Sequence, residues 1–206
     1  IARNTVDVVL PGIGGTWDLN DDFRLVGGVH RGFVNPAPGS DADAEESWNY
    51  EAGVRFERGA GSVDAMAFLV DYENLLGTCT ASTGGNCEIG DQYDGGKVSV
   101  HGLEMVAAWD AGQALDSGWS IPLSAVYTWT EGEFRSSFNS SFSEWGNVEK
   151  GDELPLVPEH QLRLNAGIDA GRWQPFRTMI YVDEARAAAG TFGPAVIWLQ
   201  RFSGST

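Results

Sequence analysis

The chain has 206 residues, including 27 Gly, 10 Phe, 8 Trp and 5 Tyr, and its formal net charge is −16. Glycine and aromatic residues favour turns and strands over helices, and the acidic surface excludes nucleic acid, whose phosphates require a basic partner. No segment has the roughly 20 consecutive apolar residues of a transmembrane helix, but the strands of a membrane barrel need only about 9–11 residues each.

Apolar and polar residues alternate through most of the chain, and this pattern predicts strands because period 2 places successive side chains on opposite faces. The segment 97–110 is the clearest example: Leu103, Met105 and Trp109 share one face, and Glu104 lies on the other. The pattern predicts eight strands, at about 6–18, 22–33, 47–58, 62–73, 97–110, 118–130, 159–170 and 172–183.

The connections between these strands are short and long in turn. Turns are predicted at 20–21, 59–61, 111–117 and 170–171, and the long connections between them at 34–46, 74–96 and 131–158. A transmembrane barrel has this arrangement, with short periplasmic turns and long extracellular loops. Aromatic residues near the strand ends fit girdles at the two membrane interfaces, and the aromatic core of a β-sandwich is the alternative.

Cys79 and Cys87 are the two cysteines of the chain, and the segment between them is small, polar and rich in Gly. Such a segment turns back on itself easily, so we predict a disulfide that closes a loop in an oxidising compartment. A metal site with two cysteines would need further ligands, and none of the three histidines is close in sequence.

Several collinear motifs between about residues 8 and 190 resemble those of TonB-dependent outer-membrane receptors. Arg31-Gly32-Phe33 before Pro36 resembles a strand-to-loop passage of that family, and EESWNYEAG at 45–53 resembles the strand that follows it. Three later runs are similar to other strands of these barrels: FLVDYENL at 68–75, KVSVHGLE at 97–104 and GDELPLVPEHQL at 151–162. Together the motifs suggest a branch of the family that resembles iron-dicitrate receptors.

The resemblance implies an all-β fold, an antiparallel up-and-down transmembrane β-barrel in the bacterial outer membrane. Complete receptors of this kind have about 22 strands and an N-terminal plug domain. We therefore expect residues 1–206 to be a partial barrel domain, with about eight strands of the larger barrel and without the plug. The tail at 191–206 is atypical, because it lacks a clean alternating strand.

The implied function is the binding and import of iron chelates such as siderophores, or of similar scarce nutrients, and not catalysis. The implied partners are outer-membrane lipid, the transported nutrient and the TonB system, which would act through the plug. The resemblance implies no cofactor.

The long loops carry the candidate binding residues. Arg135 would meet an anionic chelate, and the rings of Phe138, Phe142 and Trp145 would stack on a ligand. Loops are suitable carriers of such residues because a rigid barrel positions them.

An acidic run in the first long loop provides weak candidates for a Ca²⁺ site. Asp41, Asp43 and Glu45 alternate along the chain and would offer oxygen ligands. The run lacks the spacing and the glycine of an EF-hand loop. A solvated loop without metal is therefore the favoured interpretation.

Two other classes of protein remain open, a soluble β-rich hydrolase and a surface-binding β-domain. The sequence contains no G-x-S-x-G motif, and its Ser, His and Asp residues follow no recognisable catalytic order. A requirement for detergent would separate the receptor from both alternatives. Turnover of an ester, lactone or glycoside would identify the hydrolase.

Overall fold

The computed structural model describes residues 8–80, 88–142, 145–186 and 189, together with the backbone of 196–202. Over those residues the fold is all-β apart from one turn of helix, α1 (Ala111–Ala114). No helix among them is long and apolar enough to cross a membrane.

Nine strands of the described chain form one antiparallel sheet, and four short strands form two hairpins in the long loops. The sheet has the order β1-β2-β3-β4-β7-β8-β11-β12-β13, so strands that follow one another in the chain lie side by side. The bounds are β1 (Gly12–Asp18), β2 (Phe23–Val34), β3 (Glu45–Arg58), β4 (Gly61–Asn74), β5 (Leu76–Thr78), β6 (Gln92–Asp94), β7 (Val98–Asp110), β8 (Pro122–Phe134), β9 (Phe138–Asn139), β10 (Asn147–Val148), β11 (His160–Gly167), β12 (Phe176–Ala185) and β13 (Val196–Phe202).

The eight strands predicted from the sequence are all present, which confirms the up-and-down all-β fold. The strand predicted at 118–130 is β8 and begins later, at Pro122. Asp110 fixes the longer turn before it, because its carboxylate caps α1 and accepts hydrogen bonds from the Ser120 hydroxyl (2.6 Å) and the Ile121 amide (2.9 Å). The backbone forms a ninth strand, β13, in the tail that the sequence marks as atypical.

The register of the sheet sorts its side chains onto two faces, because directly opposed residues point to the same side. Leu103 of β7 is opposite Ala67 of β4 and Trp129 of β8. The side chains on this side, which we call the apolar face, are mainly apolar: Ile13, Trp17, Leu25, Val29, Trp48, Tyr50, Val54, Phe56, Val63, Leu69, Leu103, Met105, Trp109, Leu123, Tyr127, Trp129, Leu162, Leu164, Met179 and Tyr181.

The opposite side of the sheet, which we call the polar face, carries charged residues. Glu104 lies there together with Arg24, Arg55 and Asp64, and the Arg55 Nε is 2.8 Å from the Asp64 carboxylate. The prediction that Glu104 points away from Leu103 is therefore confirmed.

The apolar face is uncovered in the described structure. Ile13 is 81% exposed, Trp17 69% and Met179 50%, and none of the buried hydrophobic residues of the described chain lies on this face. A sheet in a soluble protein buries its apolar face against another layer, whereas the outside of a membrane barrel presents an apolar band to lipid. This face is therefore the surface that a bilayer covers.

Short and long connections lie at opposite ends of the sheet. The turns at 19–22, 59–60, 111–121 and 168–175 are at one end, and the loops at 35–44, 75–97 and 135–159 are at the other. Exposed tryptophans mark the short-turn end: Trp17, Trp109, Trp119 and Trp173. Tryptophan rings favour the headgroup level of a bilayer, and short turns are typical of the periplasmic side.

Met105→Arg should destabilise the folded barrel by about 2–4 kcal/mol, because a guanidinium in the middle of the apolar face loses its water. Denaturant titration of the full-length protein refolded into lipid vesicles measures this free energy of unfolding.

His101→Arg is the matched control on the same strand and face. The His101 Nε2 is 3.6 Å from a Glu131 carboxylate oxygen at the long-loop end, and a charge at that level costs no more than about 1 kcal/mol. Ser99 is a poorer control, because it is only 6% exposed. Equal stability of the two variants would contradict the assignment of this face to lipid.

Candidate functional site

The long loops fold over the polar face and build the main hydrophobic cluster of the described structure. Its buried members are Val98, Phe134, Phe142, Trp145 and Val148, each at most 5% exposed. We call this cluster the loop core, and partly buried side chains pack around it: Tyr72, Leu75, Tyr93, Val100, Phe138, Leu154 and Ala189. Val98 and Phe134 project from the polar face, so the loop core lies at the long-loop end of that face.

Trp145 is the centre of the loop core. Its ring centroid lies 5.0 Å from that of Phe142, 5.9 Å from that of Phe138 and 6.1 Å from that of Phe134, each at a steep angle. Such edge-to-face pairs add about 0.5–1.5 kcal/mol each beyond the burial of apolar area. Phe142 also stacks on Tyr93 of the preceding long loop, with ring centroids 5.2 Å apart.

Two glycines allow Trp145 to approach the backbone of the loop at 75–97. A Cβ at Gly77 would lie 2.6 Å from Cη2 of Trp145, and a Cβ at Gly95 would lie 2.7 Å from the same atom. Neither position therefore accepts a side chain while Trp145 keeps its place. The second and third long loops are packed together as one unit.

Hydrogen bonds attach the first long loop to this unit. The Asp94 carboxylate accepts from the backbone N–H of Asp43 (2.9 Å) and from the side-chain amide of Asn74 (2.8 Å). The Glu45 carboxylate accepts from the backbone N–H of Leu76 (3.0 Å). Carboxylates that accept such bonds are held in defined positions, so all three loops share one polar and apolar network.

The weak candidates for Ca²⁺ do not come together as a metal site. Glu45 is the first residue of β3 and its carboxylate bonds to the next loop, while Asp41 is exposed. Asp43 contributes its backbone N–H, which donates to the Asp94 carboxylate, and not a metal-binding oxygen. Among the described residues, no group of three or more His, Cys, Asp or Glu side chains is arranged to hold a metal ion.

The four candidate ligand residues divide into a buried part and an exposed part. Phe138, Phe142 and Trp145 meet in the loop core, where Phe142 and Trp145 are each 5% exposed. Arg135 lies outside it, with half of its side chain exposed and its Nη1 2.5 Å from the Glu133 carboxylate. Direct stacking of Phe142 or Trp145 on a ligand would require the loops to open. Ligand contact by these four residues stays a prediction.

The sequence pattern did not identify Gly77, Gly95 and Val148 as partners of the loop aromatics. Alternation is an uninformative signal there, because β5, β6, β9 and β10 have only two or three residues each. A glycine whose backbone is not left-handed is a more useful signal, because its conformation alone does not explain why glycine is present. Gly77 and Gly95 are of this kind, and close packing is the remaining reason for glycine.

Cys79 is buried, at 3% exposed. Its backbone also pairs with the chain on the far side of the loop, since its N–H donates to the Asp91 carbonyl (2.8 Å) and its carbonyl accepts from Gly90 (2.9 Å). Cys87 lies outside the described residues. The pairing of Cys79 with Cys87 therefore stays a prediction.

The chain matches a family model described as "TonB dependent receptor-like, beta-barrel" over residues 2–203. It is 25% identical over 170 residues to the pesticin receptor of Yersinia pestis, covering 77% of this chain and 22% of that protein. It is 24% identical over 173 residues to the pesticin receptor of Yersinia enterocolitica, with the same coverage. The chain thus spans about a fifth of the length of these curated relatives.

Similarity to a solved structure also bears on the fold. The siderophore receptor PirA of Acinetobacter baumannii superposes with a TM-score of 0.61 at 19% sequence identity, over 89% of this chain and 30% of that one. At 19% identity this similarity supports the fold of a barrel wall and gives no information about which ligand this chain binds.

Thiol titration of the folded protein without reductant should find no free thiol, because a disulfide between Cys79 and Cys87 would close the second long loop. The same titration after reduction and unfolding should find two thiols, which is the control for reagent access. Two free thiols in the unreduced protein would rule out the pairing.

Trp145→Ala should loosen the second and third long loops together, because truncation of a buried Trp costs about 3–5 kcal/mol. Limited proteolysis of the full-length protein in detergent, with cleavage sites located by mass spectrometry, should find faster cutting in both loops. Trp173→Ala is the matched control, since Trp173 is 74% exposed in a short turn. Faster cutting confined to the third loop would contradict a shared loop core.

Proposed function

The chain belongs to the TonB dependent receptor-like β-barrel family, and we propose that it provides part of the wall and outer loops of a receptor that takes up iron chelates or similar scarce nutrients. The family places it in the bacterial outer membrane. Its likeness to iron-dicitrate receptors, as opposed to other branches, stays a prediction.

One observation carries the proposal: one side of the sheet is mainly apolar, the other mixes charged with apolar residues, and every described long loop lies at the same end. An apolar outer face and a polar inner face are what a barrel wall needs to separate lipid from an aqueous lumen. The long loops are then extracellular, and they are the first part of the chain that a ligand from outside meets.

The polar face suits the wall of a hydrated passage. Arg55 and Asp64 form an ion pair across β3 and β4, and Arg24 pairs with Asp18 across β1 and β2. Glu104 on the same face is exposed and adds a further carboxylate. Paired and hydrated charges of this kind are unfavourable in lipid and favourable in a lumen that contains water.

The loop unit is the proposed place of ligand capture. Its aromatic residues are largely buried in the loop core. Polar groups at its surface are therefore more accessible to a chelate than the aromatic rings are. Arg135 is the leading candidate, because its guanidinium is half exposed at the end of β8 and can pair with an anion. The neighbouring Glu133 holds the guanidinium in place until an anionic ligand competes for it.

The complete receptor would include much more chain than these 206 residues, as the length of the relatives indicates. Import, coupling to the TonB system through a plug, and the identity of the nutrient are therefore proposals about that larger protein. The named relatives are receptors for pesticin or for siderophores. Uptake of a siderophore-type ligand is the proposal for this chain.

The two alternative classes have less support. A soluble hydrolase or a soluble adhesion domain would leave the whole apolar face in water, which soluble proteins avoid for patches of this extent. The relatives are receptors and not enzymes. A receptor without catalytic activity is the better proposal.

Arg135→Gln in the full-length receptor should weaken the binding of an anionic ferric chelate about tenfold, because one charge-assisted hydrogen-bonding group is lost. Binding of radiolabelled ferric citrate, ferric catecholates and ferric hydroxamates to outer membranes, followed by uptake in iron-starved cells, measures the effect.

Arg172→Gln is the matched control, because Arg172 is exposed in the turn between β11 and β12 at the opposite end of the sheet. Unchanged binding in Arg135→Gln would remove Arg135 from the site and leave the receptor proposal intact. Failure of the wild-type receptor to bind any chelate, with turnover of a hydrolase substrate instead, would overturn the receptor proposal itself.

A further inference from the structure

The apolar face contains an open depression near its short-turn end. Ala107 of β7 and Ala125 of β8 are directly opposed and form its floor. Larger residues surround this pair and complete a hollow of about 680 Å³: Phe56, Val63, Trp109, Leu123, Leu164 and Met179. The volume falls within the roughly 300–1,000 Å³ that is usual for small-ligand sites.

Hydrogen bonds on the polar face hold the floor of the hollow in shape. The Asn165 side chain donates to the Ser124 hydroxyl (2.9 Å) and accepts from the Thr178 hydroxyl (2.9 Å). These bonds join β8, β11 and β12 directly behind the depression. The hollow is therefore a fixed feature of the sheet, because three neighbouring strands are tied together at its level.

A single cation lies at the rim of this hollow. Arg177 is opposite Ala166 in the register of β11 and β12, and both residues line the depression. None of the ion pairs found among the described residues includes Arg177. Arg58, on the same face and also at the short-turn end, is by contrast 3.6 Å from the Asp22 carboxylate.

The guanidinium is placed at the depth of lipid headgroups. Arg177 is the second residue of β12, directly after the turn at 168–175. Trp109 lies three strands away at the same level of the sheet, and Trp173 in that turn is 74% exposed. Tryptophan rings mark the interface on this side, so Arg177 meets the headgroup region of the periplasmic leaflet.

We infer that this depression binds one glycerophospholipid of the periplasmic leaflet, with its phosphate on Arg177 and an acyl chain over Ala107 and Ala125. The planar guanidinium matches two phosphate oxygens, and a cation at headgroup level is attracted to the negative charge of lipid phosphates. The chain has 29 Asp and Glu residues against 13 Lys and Arg, so charge complementarity favours a phosphate at an exposed arginine over most other charged positions of the chain.

The hollow explains why an acyl chain would stay in contact and not exchange freely with bulk lipid. Surrounding lipid is as apolar as the protein, so the gain comes from close packing and not from the hydrophobic effect. An acyl chain over two alanines approaches the backbone and makes dispersion contacts that an unfilled hollow would forfeit. The contact with the phosphate and the contact with the acyl chain together select a lipid that has both a phosphate headgroup and an acyl chain.

Native mass spectrometry of the full-length receptor in mild detergent tests the site. With phosphatidylglycerol added, the wild-type protein should retain one lipid, whereas diacylglycerol with the same acyl chains should not be retained. Arg177→Gln and Ala125→Phe should each lower the retained fraction about tenfold, the first by removing the phosphate partner and the second by filling the hollow.

Two matched variants serve as controls, and gel mobility with and without heating confirms that each barrel has folded. Arg58→Gln changes an arginine of the same face that already has a carboxylate partner, and Ala67→Phe enlarges an alanine of the same face outside the hollow. Neither should reduce lipid retention.

Four results would overturn the inference: equal retention of diacylglycerol, equal loss in Arg58→Gln, no loss in Arg177→Gln, or retention of lipid A in place of phosphatidylglycerol. If Ala125→Phe does not fold, lipid retention is compared between Arg177→Gln and Arg177→Lys. Lysine keeps the positive charge, so Arg177→Lys should retain more lipid, and equal retention by the two variants would also overturn the inference.

Discussion

The backbone ladder from β1 to β13 is the interaction on which the rest of the structure depends. In a bilayer no water is present to satisfy a free N–H or C=O, and each unsatisfied group costs several kcal/mol. Each of the seven interior strands from β2 to β12 is therefore paired on both sides with a neighbour in the chain. The up-and-down order follows, because short turns are the simplest way to bring consecutive strands together. The two faces follow as well, since pairing fixes which side chains point to lipid.

A sheet of this kind cannot bury a hydrophobic core of its own, and this explains where the core is found. One face is mainly apolar and is covered by lipid, while the other mixes charged and apolar residues and is hydrated over much of its length. Trp145, Phe142 and Phe134 therefore pack where the long loops cross over the polar face, and the loop core is the main place in the described chain where rings are buried from water. The loops are thus stabilised by dispersion contacts and apolar burial, whereas the sheet is stabilised by backbone hydrogen bonds between strands.

The sequence was sufficient for features that repeat with the period of a strand. The opposite directions of Met105 and Glu104, and the alternation of short turns and long loops, could be predicted because each follows from local pattern. The start of β8 could not, because it depends on the Asp110 carboxylate reaching Ser120 and Ile121 across a turn. Burial of Trp145 could not be predicted from the sequence either, since it depends on Gly77 and Gly95 in a different loop. Strand β13 was missed because its segment lacks the regular alternation of the others.

The separation between a stiff sheet and a packed loop unit bears on how ligand specificity would arise in the proposed receptor. The buried rings of the loop core are constrained by mutual contacts and by glycines that accept no side chain, so changing them alters the whole unit. The exposed side chain of Arg135, in contrast, pairs with the Glu133 carboxylate outside the loop core, so it can be substituted without disturbing Trp145. In the proposed receptor, discrimination between ligands would therefore fall to the polar surface of the unit, while its aromatic interior holds the three loops together. A ligand that binds between the loops would then act on all three at once, because the Asp94 and Glu45 carboxylates and Trp145 join them into one body.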